Sequence, residues 1–378
     1  QGMDVVTYTG TGSTQSITGL DFQPDLVWIK QRNTTRNHQI VDSVRGATKD
    51  LRSNTATDEG TTSTGLTAFT SDGFTLGGDA GYNQSSGTYV AWCWNAGANS
   101  DKTYTVKVVS DSGNKYRFDD FGTSAVTLDL QEGSTYVFDQ SDSSNAGHPI
   151  RFGTSANGTD YTTGVTHTGT PGSAGAKTTL VLGTGVATLY YSCANHSGMG
   201  GQINTNSTAG ASNFNGSIQA TTKASTTYGF SAVSYTGNNS TSTVGHGLNA
   251  VPRWVIVKSR SADSPTGWMV KHSSLQSNYN LALNLTDTAW NPATNGWVGD
   301  LTSSTTFSLV NGSSNGNNVN QSNVTYIAYC WSEVPGFSKF DSYSGGTNPK
   351  TITTGFKPKF VIIKRTDTAN YWIMIDNV

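Results

Sequence analysis

The chain has 378 residues, of which only 13% are charged and 43 are glycine, and its net charge is −2. The net charge near zero and the lack of a Lys/Arg-rich run exclude a nucleic-acid partner of the usual electrostatic kind. The sequence also excludes a membrane partner, because no apolar run approaches the roughly 20 residues that a membrane-spanning helix needs. Helix formers are scarce and Thr, Val and aromatic residues are abundant, so we predict an all-β fold.

Residues 1–98 form the first of three related segments. The segment opens with Tyr8, Thr9 and Gly10, continues with an almost unbroken apolar run from Pro24 to Lys30, and closes with residues 89–94. An apolar run of this length is typical of a strand in the core of a sandwich. Turn sequences separate further short strands, as at residues 70–73. We therefore predict a β-sandwich of jelly-roll-like type, with Cys93 as a buried thiol.

Residues 99–204 do not follow this pattern. They contain alternating strands, a polar loop that ends at His148, and a closing motif in which Cys193, His196 and Met199 are spaced by three residues. A thiolate, two imidazoles and a thioether form the donor set of a copper site, with trigonal His2Cys ligands and a weak axial Met. The motif therefore predicts one copper ion held by His148, Cys193, His196 and Met199. The alternative is a sandwich kept as a spacer that holds no metal.

This segment resembles a cupredoxin domain, with spacing closest to the amicyanin-like and plastocyanin-like small blue copper proteins. The resemblance rests on residues 132–138, on the loop to His148 and on the closing motif, and it implies a Greek-key β-sandwich with the same four ligands. The sequence departs from the family at Pro149, where cupredoxins often have an Asn that fixes the loop. His167 has no neighbour at ligand spacing, and we expect it at the surface.

The rest of the chain repeats the first segment. Residues 205–228 are small and polar, and we predict a linker or a loosely packed connection. Residues 229–335 form a second repeat with Tyr235, Pro252, Lys258 and a buried Cys330, and residues 336–378 form an incomplete third repeat. The distance from Pro to Lys is six residues in all three repeats. Because half a sandwich leaves an edge and an apolar face uncovered, we expect the chain to continue beyond Val378. The alternative is that this segment completes another subunit.

We find no active site and predict that the protein is not an enzyme. Carboxylates are few and lie mostly in turns, so no pair suits glycan cleavage, and no nucleophile or phosphate-binding motif has its required context. Asp42 and Arg45 predict a local ion pair that shapes a loop, with a ligand contact as the alternative. Trp290 and Trp297 could stack on sugars, but packing is the favoured role.

The repeats resemble β-rich domains in structural proteins of marine tailed bacteriophages, especially cyanophage-like viruses. The resemblance rests on residues 19–30, 42–48, 72–76 and 89–94 and on their counterparts in the second repeat. It implies a virion structural protein, as a fibre, tail or capsid-decoration component, located in the virion or outside the cell. Its partners would be copies of itself, other virion proteins and host-surface glycan. Two alternatives stay open, a secreted copper-binding or redox protein with attachment modules and a glycan-binding adhesin.

Overall fold

The computed structural model describes residues 1–261, 266–292, 295–311 and 318–378. The chain divides into two compact units: unit 1 comprises Gln1–Ala98 with Ala224–Val378, and unit 2 comprises Asn99–Lys223. Almost all regular structure is β, which confirms the all-β sandwich class. Within the described ranges, no helix is long and apolar enough to cross a membrane.

The first repeat folds as two facing sheets. Its elements are β1 (Met3–Thr9), β2 (Gln15–Thr18), β3 (Leu26–Gln31), β4 (Gln39–Asp42), β5 (Lys49–Arg52), β6 (Gly60–Thr61), β7 (Leu66–Thr70), β8 (Gly73–Leu76), α1 (Ala80–Asn83) and β9 (Thr88–Trp94). One sheet has the order β1-β9-β3-β4-β5-β6 and the other β2-β8-β7. Val27 and Val41 from the first sheet share a buried core with Ile17 and Phe74 from the second. Cys93 lies in this core as a free, fully buried thiol, as the sequence predicted.

Unit 2 is a second sandwich with a mixed topology. Its elements are β10 (Lys102–Ser110), β11 (Asn114–Phe118), β12 (Leu128–Gln131), β13 (Thr135–Asp139), a 3-10 turn (Ser143–Asn145), β14 (Ile150–Gly153), β15 (Val165–Thr168), β16 (Lys177–Val181), β17 (Leu189–Cys193), β18 (Gly201–Asn206), β19 (Ala211–Asn213) and β20 (Ala220–Ser225), whose last residues lie in unit 1. The sheets have the orders β11-β10-β13-β16-β15 and β12-β18-β17-β14. β10 pairs in parallel with β13, and β12 with β18, so the chain crosses between the sheets. The shared core is rich in aromatic rings, among them Tyr104, Phe118, Phe138 and Tyr191.

The predicted linker at residues 205–228 is wrong, because the segment forms strands. β19 pairs with β20 in antiparallel register, and Phe214 joins the buried core of unit 2. Ser212 is fully buried, and its hydroxyl accepts a hydrogen bond from the backbone N–H of Asp129 at 2.8 Å. A polar side chain with a satisfied hydrogen bond is stable in a buried strand, and composition alone does not distinguish such a strand from a flexible connection.

The second repeat has the topology of the first. Its strands are β21 (Phe230–Thr236), β22 (Ser242–Gly245), β23 (Pro252–Ser259), β24 (Met269–His272), β25 (Leu281–Ala282), β26 (Trp297–Val298), β27 (Thr306–Val310) and β28 (Thr325–Ser332). β28 lies between β21 and β23, as β9 lies between β1 and β3, and β22-β27-β26 matches β2-β8-β7. Cys330 is fully buried and free, like Cys93. The repeat predicted from the sequence is therefore confirmed at the level of strand order.

Side-chain contacts recur between the repeats as well. Tyr8 stacks on its cross-strand partner Tyr89 with ring centroids 5.0 Å apart, and Tyr235 stacks on Tyr326 at 5.1 Å. The lysine that ends the apolar run turns back toward the backbone in all three repeats. Its ammonium donates to the carbonyl of the next residue at 2.8, 2.9 and 2.8 Å, for Lys30, Lys258 and Lys364 in turn. We call this residue the repeat lysine.

A buried polar network joins the two complete repeats within unit 1. Arg45 forms the predicted ion pair with Asp42, and both side chains are buried. The hydroxyl of Tyr329, from the second repeat, donates to Asp42 Oδ2 at 2.6 Å and accepts from Arg45 Nη2 at 3.3 Å. Glu59 connects Arg45 at 3.2 Å to Arg260 of the second repeat at 2.8 Å. The loop-shaping pair predicted from the sequence is confirmed, and it also holds the second repeat.

The third repeat forms a hairpin of β29 (Phe360–Lys364) and β30 (Trp372–Asp376). Val361 pairs with Ile375 in this hairpin, as Val27 pairs with Val41 in the first repeat. Val41 is fully buried under the second sheet of its repeat, whereas Ile375 is 52% exposed. The hairpin therefore reproduces the first part of the repeat and leaves an apolar face open.

Candidate metal centre

Strand pairing in unit 2 brings two distant parts of the sequence together. Cys193 is the last residue of β17, and its cross-strand partner is Ile150 at the start of β14. His148 stands two residues before Ile150, so it lies beside Cys193 although 45 residues separate them. The turn after β17 then brings His196 back toward the same point. The antiparallel register thus assembles three of the four predicted ligands.

The two distances from the sulfur to the imidazole nitrogens are those that one metal ion would impose. The Cys193 sulfur is 3.8 Å from His148 Nδ1 and 3.6 Å from His196 Nδ1, and the ligand atoms all lie within 4.8 Å of one another. Metal–thiolate bonds are about 2.3 Å and metal–imidazole bonds about 2.0–2.1 Å long. A shared ion would therefore separate sulfur from nitrogen by about 3.6 Å at a tetrahedral angle and about 3.8 Å at 120°. Both observed separations fit a single ion.

Burial differs among the four predicted ligands. Cys193 is 2% and Met199 1% exposed, and both belong to the aromatic-rich core of unit 2. His148 is half-buried and His196 is exposed, so the cluster lies between the core and the surface. Burial, and after it the charge of His196, lowers the pKa of His148. Both effects favour the neutral imidazole, which is the form that binds a metal.

Hydrogen bonds hold the cysteine and histidine loops against each other. The backbone N–H of Asn195 points at the Cys193 sulfur at 3.4 Å, and the Asn195 side chain donates to the carbonyl of Gly147 at 2.9 Å. The N–H of Ala194 donates to the carbonyl of Pro149 at 3.0 Å. The sequence has Pro149 where cupredoxins often have an Asn that fixes the loop. Here Asn195, on the cysteine loop, connects the two loops.

The backbone of His148 is held from the other side. Its carbonyl accepts hydrogen bonds from the Tyr116 hydroxyl at 2.8 Å and from the Gln140 amide at 2.9 Å. Such outer partners orient metal ligands and affect metal affinity strongly. Sequence reasoning missed Tyr116, Gln140 and Asn195. Of these three residues, only Asn195 could have been found from the sequence, because it lies between Cys193 and His196 in the predicted metal-binding motif.

The other candidates from the sequence have structural roles. His167 is exposed, as predicted, with Nδ1 3.0 Å from the Thr178 hydroxyl. Trp290 is half-buried, and its backbone exchanges two hydrogen bonds with Asn280 at 2.9 and 3.0 Å. Trp297 is also half-buried and lies in β26. Across the described part of the chain, no other group of three His, Cys, Asp or Glu side chains could hold a metal ion.

Fold and site together define an all-β protein of sandwich repeats, with an inserted sandwich that carries a His–Cys–His cluster. A family model described as a domain of unknown function, DUF7483, matches residues 2–128 and 203–378, and the chain belongs to this family. Neither a curated protein nor a solved structure matches the chain. The predicted ligands all lie between the two matched parts, so the family match covers the repeats but not the metal centre.

Proposed function

We propose that unit 2 binds one copper ion through His148, Cys193 and His196, with Met199 as a fourth, weaker ligand. The observation that carries this proposal is the convergence of two imidazole nitrogens on one sulfur, each at a sulfur–nitrogen distance that a single ion fits. A donor set with a thioether as well as a thiolate favours copper, because soft sulfur ligands select it. Structural zinc sites instead draw four ligands from Cys and His, with carboxylates also binding zinc.

This chain's own residues provide the binding and the orientation. Tyr116 and Gln140 fix the backbone of His148, and Asn195 ties the cysteine loop to the histidine loop. The N–H of Asn195 points at the Cys193 sulfur and helps to orient it. When bound, copper would supply a one-electron redox centre and a cross-link between the two loops.

Loading purified full-length protein with Cu(II) tests this proposal. We expect one copper per chain and an intense visible thiolate-to-copper band that disappears in Cys193→Ser. Cys93→Ser and Cys330→Ser are matched controls, because both thiols are fully buried in unit 1, and both variants should keep the band. Failure to bind copper, or a band that survives in Cys193→Ser, would contradict the proposal.

We propose, for the whole chain, a non-enzymatic structural role in a virus particle, as a fibre, tail or capsid-decoration component. The resemblance of the repeats supports this role. It is also supported by the network through Arg45 and Tyr329, which makes the two complete repeats parts of one compact unit. Few charges and many short strands suit modules packed side by side with copies of the chain and other virion proteins. Its location would then be the virion or the extracellular space.

Electron microscopy of particles labelled with antibody against this chain tests the structural role. Label on a virion appendage or shell is the expected result. Label confined to cell surfaces or to the secreted fraction would contradict it, and would favour the secreted copper-binding alternative if the copper band is also present.

A further inference from the structure

A cavity of about 370 Å3 lies in the first repeat, between the segment that follows β3 and the segment that joins α1 to β9. Its volume falls within the range of about 300–1,000 Å3 that is common for small-molecule sites. The side chains that line it are all polar, and they include Gln31, Asn33, Arg36, Gln84, Ser85 and Ser86. A lining of amides, hydroxyls and one guanidinium suits a ligand that forms many hydrogen bonds.

The floor of the cavity contains a buried amide that is only partly paired. Gln31 is 3% exposed, and its Nε2 donates to Asn33 Oδ1 at 3.1 Å. Its Oε1 finds no hydrogen-bond partner among the residues that the structure describes. Buried polar atoms nearly always have a partner. Because Nε2 already donates to Asn33, the oxygen is the atom of this amide that is left to accept a hydrogen bond from a ligand hydroxyl.

The second repeat shows that the fold does not require this amide. The residue after the repeat lysine is Gln31 in the first repeat and Ser259 in the second, where its hydroxyl pairs with Thr266 at 2.6 Å. Gly87 corresponds to Val324, because the Gly87 carbonyl accepts a hydrogen bond from the N–H of Gly10 and the Val324 carbonyl accepts one from the N–H of Gly237. Gly10 and Gly237 follow the Tyr-Thr pair at the same place in the two repeats. A Cβ added to Gly87 would lie 2.7 Å from Gln31 Nε2 and 2.9 Å from Tyr89 Cε2, so both side chains would have to shift. The second repeat thus has Ser and Val at the two positions where the first has Gln31 and Gly87.

The charge of the lining indicates the class of ligand. Arg36 is the one charged residue in the lining, and its Nη2 already donates to Gln84 Oε1 at 3.1 Å. The lining contains no carboxylate, lysine or aromatic ring. Amides and hydroxyls match a ligand whose adjacent hydroxyls both donate and accept, and the remaining N–H groups of Arg36 are further donors to such hydroxyls. We propose that this cavity binds a neutral sugar unit, with Gln31 as a hydrogen-bonding residue at its floor. The inference does not depend on the copper site.

Saturation-transfer-difference NMR on the full-length protein tests the proposal, with glucose, galactose, mannose, fucose and N-acetylglucosamine as the probes. The decisive variant is Gln31→Ser/Gly87→Val, which installs the pair that the second repeat accommodates. Gln84→Ala is a second variant, because its exposed side chain leaves the core intact. Gln15→Ser is the matched control, since Gln15 lies in the same repeat but not in the cavity lining. Tryptophan fluorescence confirms that each variant is folded.

We expect signal transfer to at least one sugar in the wild type and in Gln15→Ser. The double variant should lose this signal, and Gln84→Ala should bind about tenfold more weakly, as expected for the loss of one hydrogen bond. The absence of transfer to every sugar in the wild type would overturn the proposal. Unchanged transfer in both cavity variants would overturn it as well, because binding would then occur elsewhere.

Discussion

The buried network between the repeats gives a quantitative prediction for Tyr329→Phe. The Tyr329 hydroxyl donates to the Asp42 carboxylate at 2.6 Å and accepts from Arg45 at 3.3 Å. Tyr329 is 1% exposed, Asp42 0% and Arg45 5%, so water cannot easily replace the lost group. Phenylalanine keeps the ring and removes only the hydroxyl. The substitution therefore removes only the two hydrogen bonds that the hydroxyl makes with a charged pair.

The expected loss follows from the charge of the partners. A hydrogen bond to a charged group contributes about 1.5–3 kcal/mol, and one between neutral groups about 0.5–1.5 kcal/mol. Tyr235→Phe is the matched control, because the buried Tyr235 hydroxyl donates to the neutral carbonyl of Val319 at 2.6 Å. We expect Tyr329→Phe to lower the free energy of unfolding of unit 1 by about 1.5–3 kcal/mol. Tyr235→Phe should lower it by about 0.5–1.5 kcal/mol.

Tryptophan fluorescence during urea unfolding measures this difference selectively. All 9 tryptophans lie outside residues 99–223, so the signal reports unit 1 alone. The midpoint should fall more in Tyr329→Phe than in Tyr235→Phe, while the copper band of unit 2 stays unchanged. Equal losses in the two variants, or a smaller loss in Tyr329→Phe, would refute the claim that this network holds the repeats together.

Three further predictions concern single side chains. Met199→Leu should still bind one copper and keep its thiolate band, but voltammetry should give a higher reduction potential. The reason is that an apolar group in place of the thioether disfavours the more highly charged Cu(II). An unchanged potential would argue against Met199 as a ligand. Asn195→Ala should weaken copper binding by about 10- to 100-fold in a competition titration, since outer partners orient the ligands; unchanged affinity would contradict the role given to this loop bond. Burial lowers the pKa of Lys258 from 10.5 to about 8, so between these values the unfolded chain binds more protons. The stability of unit 1 relative to Lys258→Met should therefore rise from pH 8 to 10 in urea unfolding, and a flat or falling difference would contradict it.

The repeats could be predicted from the sequence because their signals are local. The apolar run that ends at Lys30, Lys258 and Lys364 forms a strand in every copy, with the same ammonium-to-carbonyl contact. The bond from Tyr329 to Asp42 could not be predicted, because it joins residues far apart in sequence. The strands in residues 205–228 were missed for a different reason. Their stability depends on buried, satisfied hydroxyls such as that of Ser212 rather than on an apolar pattern.

The metal centre also has a part that could be predicted from the sequence and a part that could not. Cys193, His196 and Met199 share a short motif that is visible in the sequence, His148 ends a polar loop upstream of it, and the cupredoxin resemblance implied the same four ligands. Their convergence depends on the register of β14 against β17, which places Ile150 opposite Cys193. The groups that hold His148 in place come from other strands and loops, so the sequence alone could not connect them to the site.

X-ray absorption spectroscopy at the copper edge, on full-length protein loaded with one equivalent of Cu(II), tests the central claim most directly. The account predicts one short copper–sulfur bond and two copper–imidazole bonds in the same centre, with the sulfur contribution lost in Cys193→Ser. A centre with only nitrogen and oxygen ligands, or with the same spectrum in Cys193→Ser, would contradict the assignment of His148, Cys193 and His196 as a copper site.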